Sequence, residues 1–107
     1  MDSTNAEAMR RALAGDAPPL WIVADVQSQG RGRSGRRWSS EPGNLHASLY
    51  TRLSSPAPKA YQLSLVAGVA AIDAIRQAMT LPPETKLRLK WPNDILVGAE
   101  KTGGILV

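Results

Sequence analysis

The residues LWIVADV at positions 20–26 form an apolar, β-branched run with Pro18 and Pro19 before it and polar residues after it, a pattern that predicts a buried strand. Positions 44–53, NLHASLYTRL, alternate strictly. Leu45, Ala47, Leu49 and Thr51 fall on one side, and His46, Ser48, Tyr50 and Arg52 on the other, predicting a half-buried strand. Ahead of both, a helix is expected over residues 5–14. Asp2, Ser3 and Thr4 are its N-cap candidates, Thr4 and Glu7 have capping-box spacing, and Gly15 ends it. Capping alone accounts for Ser3, Thr4 and Asn5 as well as a binding role does.

Residues 61–79, YQLSLVAGVAAIDAIRQAM, carry apolar side chains at Leu63, Val66, Ala67, Ala70, Ala74, Ile75 and Ala78 and on the flanks. A helix apolar around most of its circumference is expected to be largely covered. SSPAP at 54–58 reads as a linker, KLRLKW alternates until Pro92, and DILV, GAE and KTGGILV read as a hairpin with Gly98 in the tight turn. Strands that neighbour one another in sequence, without strict βαβ alternation, predict an α+β fold. Its sheet is largely antiparallel, with helices packed on it. At 107 residues the chain is one domain or part of one.

Composition narrows the chemistry. Thirteen Lys and Arg against nine Asp and Glu give +4, and Arg31, Arg33, Arg36 and Arg37 account for the whole excess. Such a point charge suits a compact anion better than a long polyanion, which proteins usually meet with a basic face. The chain has no cysteine and only His46, which argues against thiolate chemistry and a zinc cluster. No apolar run approaches the ~20 residues of a membrane span, and the first sixteen residues lack the apolar stretch of a signal peptide. The expectation is a soluble cytoplasmic protein.

The four arginines sit in a polar stretch, residues 27–43, longer than compact domains usually leave without regular structure. Within it GRGRSGR spells G-x-G-x-x-G. A dinucleotide site would need a helix directly after the glycines, and RRWSSEPGN offers none. A protein-kinase glycine loop would need V-A-I-K and H-R-D motifs, which do not occur. A nucleic-acid patch could use the arginines with Trp38, but no second basic element supports it. Glycines admit close backbone approach and arginines fork onto phosphate or carboxylate, so together they describe a clamp for a compact anion. The other polar constellation is KWPND at 90–94 with Lys101, Gly103 and Gly104. Taken alone it reads as a strand end, with Trp91 in a core and Lys101 solvated.

Together these motifs resemble the biotin protein ligases. DSTN at 2–5, QSQGRGRSGRRW at 27–38, KWPND at 90–94 and KTGGILV at 101–107 carry the likeness in order along essentially the whole chain. The resemblance implies the fold shared by biotin ligases and class II aminoacyl-tRNA synthetases. It also implies a two-step reaction, in which biotin and ATP give biotinyl-5′-AMP and pyrophosphate, and biotin is then transferred to a lysine of the biotin carboxyl carrier protein. ATP, Mg²⁺ and biotin are the small molecules it implies, and it leaves a homodimer open. It places residues 1–107 as part of a ligase catalytic domain. The rest of that domain, the family's small SH3-like domain and the helix-turn-helix domain of its bifunctional members are not in the sequence. Lipoate protein ligase is the nearest alternative, and a noncatalytic nucleotide or nucleic-acid binder the more distant one.

Carried over by position, the resemblance assigns Ser3, Thr4, Asn5, Gln27, Arg31, Gly32, Arg33 and Lys101 to biotin, with Lys101, Arg31 and Arg33 as the catalytic cations. It assigns Gly30, Gly35, Trp38, Lys90, Asn93, Asp94 and Gly104 to the nucleotide, and Asp94 additionally to metal.

Overall fold

The computed structural model describes residues 1–54 and 60–107 and, within the second stretch, not the side chain of Ala60. In chain order the elements are α1 (Thr4–Leu13), β1 (Leu20–Ala24), a 3-10 turn (Arg33–Gly35), β2 (His46–Tyr50), α2 (Ala60–Ala78), β3 (Leu87–Lys90), β4 (Asp94–Val97) and β5 (Glu100–Gly104). The α+β class with antiparallel pairing is as the sequence predicts. Apart from Ser54, the SSPAP linker lies outside the described residues. The chain forms two compact units, Met1–Pro56 and Ala57–Val107.

In the first unit, α1 packs on the antiparallel pair β1 and β2, whose register runs from Leu20 opposite Tyr50 to Ala24 opposite His46. The helix starts one residue earlier than predicted, and the capping box does not form. Ser3 is the N-cap, in extended conformation, and its Oγ accepts from Ala6 N at 3.2 Å. With the cap at Ser3, the residue three further on is Ala6. Glu7 instead turns its carboxylate to Arg10 and Arg11. The exit is as expected, with Gly15 at φ 85° after the last turn.

β2 alternates in burial, but its sides are the reverse of an apolar-in strand. His46 is buried and Ser48 is bonded to Thr4 of α1, whereas Leu45 and Leu49 are exposed, as are Trp21 and Val23 of β1. The helix covers the polar face because that face carries hydrogen-bonding partners for the helix N-terminus. Ile22 is the buried apolar residue of this layer, so β1 is not the buried strand that its apolar run predicts: one of its faces is left uncovered among the described residues.

In the second unit, β3, β4 and β5 form an antiparallel sheet in that order, with α2 packed on β3 and β4. Ile72, Leu87 and Ile95 form the core, joined by Ala71, Ile75, Leu81, Leu89 and Ile105. Gly68 brings the helix close to the sheet, since a Cβ there would lie 2.7 Å from both methyls of Leu89. The expectation that α2 is largely covered does not hold among the described residues. Val66 and Val69 are 66% and 56% exposed, because a three-stranded sheet covers one side of a helix and these residues lie off it. The β4–β5 hairpin turns at Gly98 and Ala99, with Gly98 at φ 61°, as the sequence indicates.

Candidate functional site

The first unit gathers its candidate residues around the N-terminus of α1. Thr4 N and Thr4 Oγ1 both donate to Gln27 Oε1, at 2.8 and 3.1 Å, and Ser48 Oγ donates to Thr4 Oγ1 at 2.9 Å. Because a backbone N–H can only donate, the Gln27 atom facing Thr4 is the carbonyl oxygen, and the NH₂ end points away from Thr4. Gln27 N in turn donates to Ser40 Oγ at 2.8 Å, and Ser40 Oγ lies 2.8 Å from Nε2 of the buried His46. The residues before the helix are tied to the same region: Ser28 N donates to Met1 O and Gln29 N to Asp2 O. Asn5 is exposed on the first turn.

Asp2 and Glu7 brace that N-terminus. Hydrogen bonds from Arg10 hold the Asp2 carboxyl below the usual carboxylate range, with the Ser3 N–H adding to the effect. The Arg11 and Arg10 guanidiniums lower Glu7 likewise.

The arginine-glycine stretch folds into a miniature antiparallel hairpin. Trp38 N donates to Gly30 O at 2.9 Å, Arg31 bridges Arg37, and Gly32 N donates to Arg36 O at 2.7 Å. The tip is the 3-10 turn, with Ser34 at φ 57° and Gly35 at φ 71°. No α-helix follows it before β2, so the dinucleotide interpretation fails in the structure as in the sequence. The three glycines have different reasons. A Cβ at buried Gly30 would lie 2.7 Å from Trp38 O, and Gly35 adopts positive φ. Gly32 has φ −101° and nothing nearer than 3.6 Å to an added Cβ, so the fold itself places no such demand on it. Beside the hairpin an open cleft of about 610 Å³ is lined by Gln27, Arg37, Trp38, Ser40 and Glu41, among others.

In the second unit Lys90, Asp94 and Gly104 stand in one row across the three strands. Trp91 and cis-Pro92 turn the chain between β3 and β4. Trp91 is 61% exposed with Tyr61 edge-on at 6.5 Å, so it is not the core residue that KWPND alone suggests. Asn93 fixes the end of the sheet, its Nδ2 donating to Ile105 O and its carbonyl accepting from Ile105 N, both at 2.9 Å.

Lys101 is not simply solvated. Its Nζ lies 2.9 Å from Asp94 Oδ1, and a β-bulge makes this reach natural. Ile95 pairs with Gly103 but Leu96 with Lys101, so Thr102 is the extra residue, and its Oγ1 donates to Ile95 O at 3.1 Å. Side chains alternate along a strand, so without the bulge Lys101 would stand opposite Val97, on the face away from Asp94.

The structure thus brings Ser3, Thr4, Gln27, Gly30 and Trp38 together in the first unit, with Arg31, Gly32, Arg33 and Gly35 on the adjoining hairpin. It brings Lys90, Asn93, Asp94, Lys101 and Gly104 together in the second. Sequence reading did not single out Ser40, Ser48 or the bulge at Thr102. The polar residues at alternate positions 46 and 48 were the available signal. Among the described residues no three His, Cys, Asp or Glu cluster as a metal site, and no helix is long and apolar enough to cross a membrane.

A profile described as the biotin/lipoate A/B protein ligase family matches residues 2–107. A biotin–[acetyl-CoA-carboxylase] ligase of Paracoccus denitrificans is 44% identical over 108 residues, which cover 99% of this chain and 43% of the relative. The biotin protein ligase of Leishmania major, solved with biotin, superposes with a TM-score of 0.79 at 30% identity, covering 99% of this chain and 47% of that one. The same protein solved with biotinyl-5-AMP superposes at 0.78, covering 98% and 47%. The chain therefore spans about half the length, or less, of the proteins it matches. Motifs, fold and near-complete coverage of this chain agree: it belongs to the biotin/lipoate A/B protein ligase family.

Proposed function

We propose that this chain carries the adenylating residues of a biotin protein ligase, as part of its catalytic domain. In the reaction a biotin carboxylate oxygen attacks the α-phosphorus of ATP, the bond to the β-phosphate oxygen breaks, and biotinyl-AMP and pyrophosphate form. A lysine amine of a biotin carboxyl carrier protein then attacks the acyl carbon, AMP leaves and the amine loses a proton. The first step brings a carboxylate to a polyanion and builds charge on phosphoryl oxygens, so it needs fixed cations. Lys101 supplies one at the biotin carboxylate and α-phosphate. Arg31 and Arg33 supply others on a hairpin whose Gly32 leaves backbone open to the ligand.

Ser3, Thr4, Asn5 and Gln27 take the biotin head. With Gln27 Oε1 already accepting from Thr4, its NH₂ is left to donate to an acceptor such as a ureido or carboxylate oxygen. Gly30, Gly35, Trp38, Lys90, Asn93, Asp94 and Gly104 serve the nucleotide. Asp94 is a lone carboxylate already paired with Lys101, which does not amount to a metal site built by the described residues. Mg²⁺ would arrive as substrate on the phosphates of ATP, where a single carboxylate such as Asp94 is enough to meet it.

The single observation that carries this reading is the Gly32 contrast: a glycine on an arginine hairpin that the fold itself does not require. The test is to add biotin with ATP and measure both melting temperature and tryptic cleavage at residues 31–37. The expected result is a higher melting temperature and slower cleavage with the pair than with either alone. Equal protection by lipoate with ATP would move the assignment to the family's other branch. A salt-sensitive gain with an oligonucleotide and none with biotin and ATP would overturn it.

A further inference from the structure

Thr4, Gln27, Ser40, His46 and Ser48 form one continuous hydrogen-bonded chain, and three of them, Ser40, His46 and Ser48, have no place in the ligand contacts proposed above; of these, Ser40 and His46 lie on the Gln27 side of the chain. Gln27 and Ser40 flank the arginine hairpin on its two sides. The bond from Gln27 N to Ser40 Oγ closes that loop outside the Arg31–Arg37 bridge, with Gln27 three residues before Gly30 and Ser40 two beyond Trp38. A serine on a polar connection could close the base only loosely, because its hydroxyl rotates. Here it is held from behind: His46 is 7% exposed, sits at the first position of β2 opposite Ala24 of β1, and places Nε2 2.8 Å from Ser40 Oγ. Whichever ring nitrogen carries the proton, Ser40 Oγ keeps a lone pair for the Gln27 N–H, since a hydroxyl can accept twice or donate once and accept once.

We propose that Ser40 and His46 are positioning residues. They fasten the base of the arginine loop to the β1–β2 pair and thereby fix Gln27 between two partners, Ser40 at its backbone and Thr4 at its side chain. The relay runs from sheet to His46, to Ser40 and to Gln27, three residues before Gly30 in the chain. His46 suits the task by shape: it is a flat, rigid side chain that spans from a strand face to a loop hydroxyl and satisfies itself there, which an apolar residue at a buried strand position would not do. Its consequence for ligation rests on the proposed function, but the fastening itself does not.

The experiment measures amide hydrogen exchange of the unliganded chain, resolved by residue. Ser40→Ala and His46→Ala are each expected to speed exchange at Gln27 by about fivefold to tenfold, the size expected for loss of one hydrogen bond, with faster tryptic cleavage at residues 31–37. His46→Gln, whose Nε2 can reach the same hydroxyl, is expected to restore most of the protection. Exchange at Leu87 and Ile95, in the core of the other unit, should be unchanged in all three variants. Unaltered exchange at Gln27 in both alanine variants would overturn the proposal. So would an equal rise at every amide of the first unit with no recovery in His46→Gln, which would make His46 a packing residue only. Because no ligand is added, failure here leaves the ligase assignment standing. Failure of biotin and ATP to protect the wild-type loop would leave this fastening intact.

Discussion

The glycines of the arginine hairpin offer a graded perturbation whose ranking follows from the geometry. In Gly30→Ala the new methyl would lie 2.7 Å from Trp38 O, 3.2 Å from Gln27 Nε2 and 3.4 Å from Trp38 Cβ. The first distance is too short for any carbon, and its partner is backbone, so the two hairpin arms must separate. That opens the 2.9 Å bond from Trp38 N to Gly30 O, losing about 1 kcal/mol, and repacking around a buried methyl adds about 1–3 kcal/mol. Gly35→Ala imposes positive φ on an alanine at an open site, costing about 1–2 kcal/mol with no clash. Gly32→Ala meets nothing closer than 3.6 Å at φ −101°, and its effect on the fold should be within ~0.5 kcal/mol. Thermal melting by circular dichroism, alongside melting with biotin and ATP, separates the two causes. Gly30→Ala should melt several degrees lower with or without ligand. Gly32→Ala should melt like the wild type alone and lose the ligand-dependent rise. If Gly32→Ala is as destabilised as Gly30→Ala without ligand, the reasoning about which glycine serves the fold is wrong. If it keeps the full ligand response, the proposed approach of ligand to Gly32 is wrong.

Two further outcomes follow from the ion pairs. Lys101→Ala removes a partly exposed bridge to Asp94, so stability should change by less than ~1 kcal/mol. Under the proposed function, biotin-dependent pyrophosphate release should fall on the order of 10²-fold or more, and loss of release no greater than that of a surface lysine variant would refute the role. For pH, Asp2 and Glu7 have folded-state values below their unfolded ones, so the stability they contribute is present above the unfolded carboxylate range and is lost as pH falls through the folded values. Helix α1 should therefore loosen on acidification below about pH 4. Asp2→Asn should flatten that acid limb in exchange measurements on residues 3–7, and an unchanged limb would show that Arg10 does not hold this carboxylate.

How much was legible depended on whether a feature was local. The strands, the Gly15 stop and the Gly98 turn follow from periodicity and turn chemistry and stand where expected. The capping box failed because Ser3 and Thr4 compete for one role, and only the tertiary partners Gln27 and Ser48 decide that Thr4 belongs inside the helix. The sides of β2 were illegible for the same reason: alternation marks two faces, but the helix chose the one with hydroxyls and imidazole. Lys101 could be named from its motif, yet its pairing with Asp94 depends on an unpaired Thr102, and no local pattern in KTGG announces a bulge. Ser40 and His46 carry no motif of their own, and their partnership appears only once β2 is paired with β1.

The Arg31–Arg37 bridge has an electrostatic side. It lies between the two hydrogen-bonded pairs of the hairpin, the position where facing side chains come closest in an antiparallel ladder. Two guanidiniums placed there repel, and like charges directly opposite destabilise a strand pair. Dissolved salt shields that repulsion, just as it shields the attraction among Asp2, Glu7, Arg10 and Arg11 on α1. One rise in ionic strength therefore acts with opposite sign at two places in the same unit, loosening the brace on the helix while easing the arms of the hairpin together. Low-salt buffer is the condition in which the hairpin is held open most strongly by its own charge, and a bound anion is the other way to discharge it.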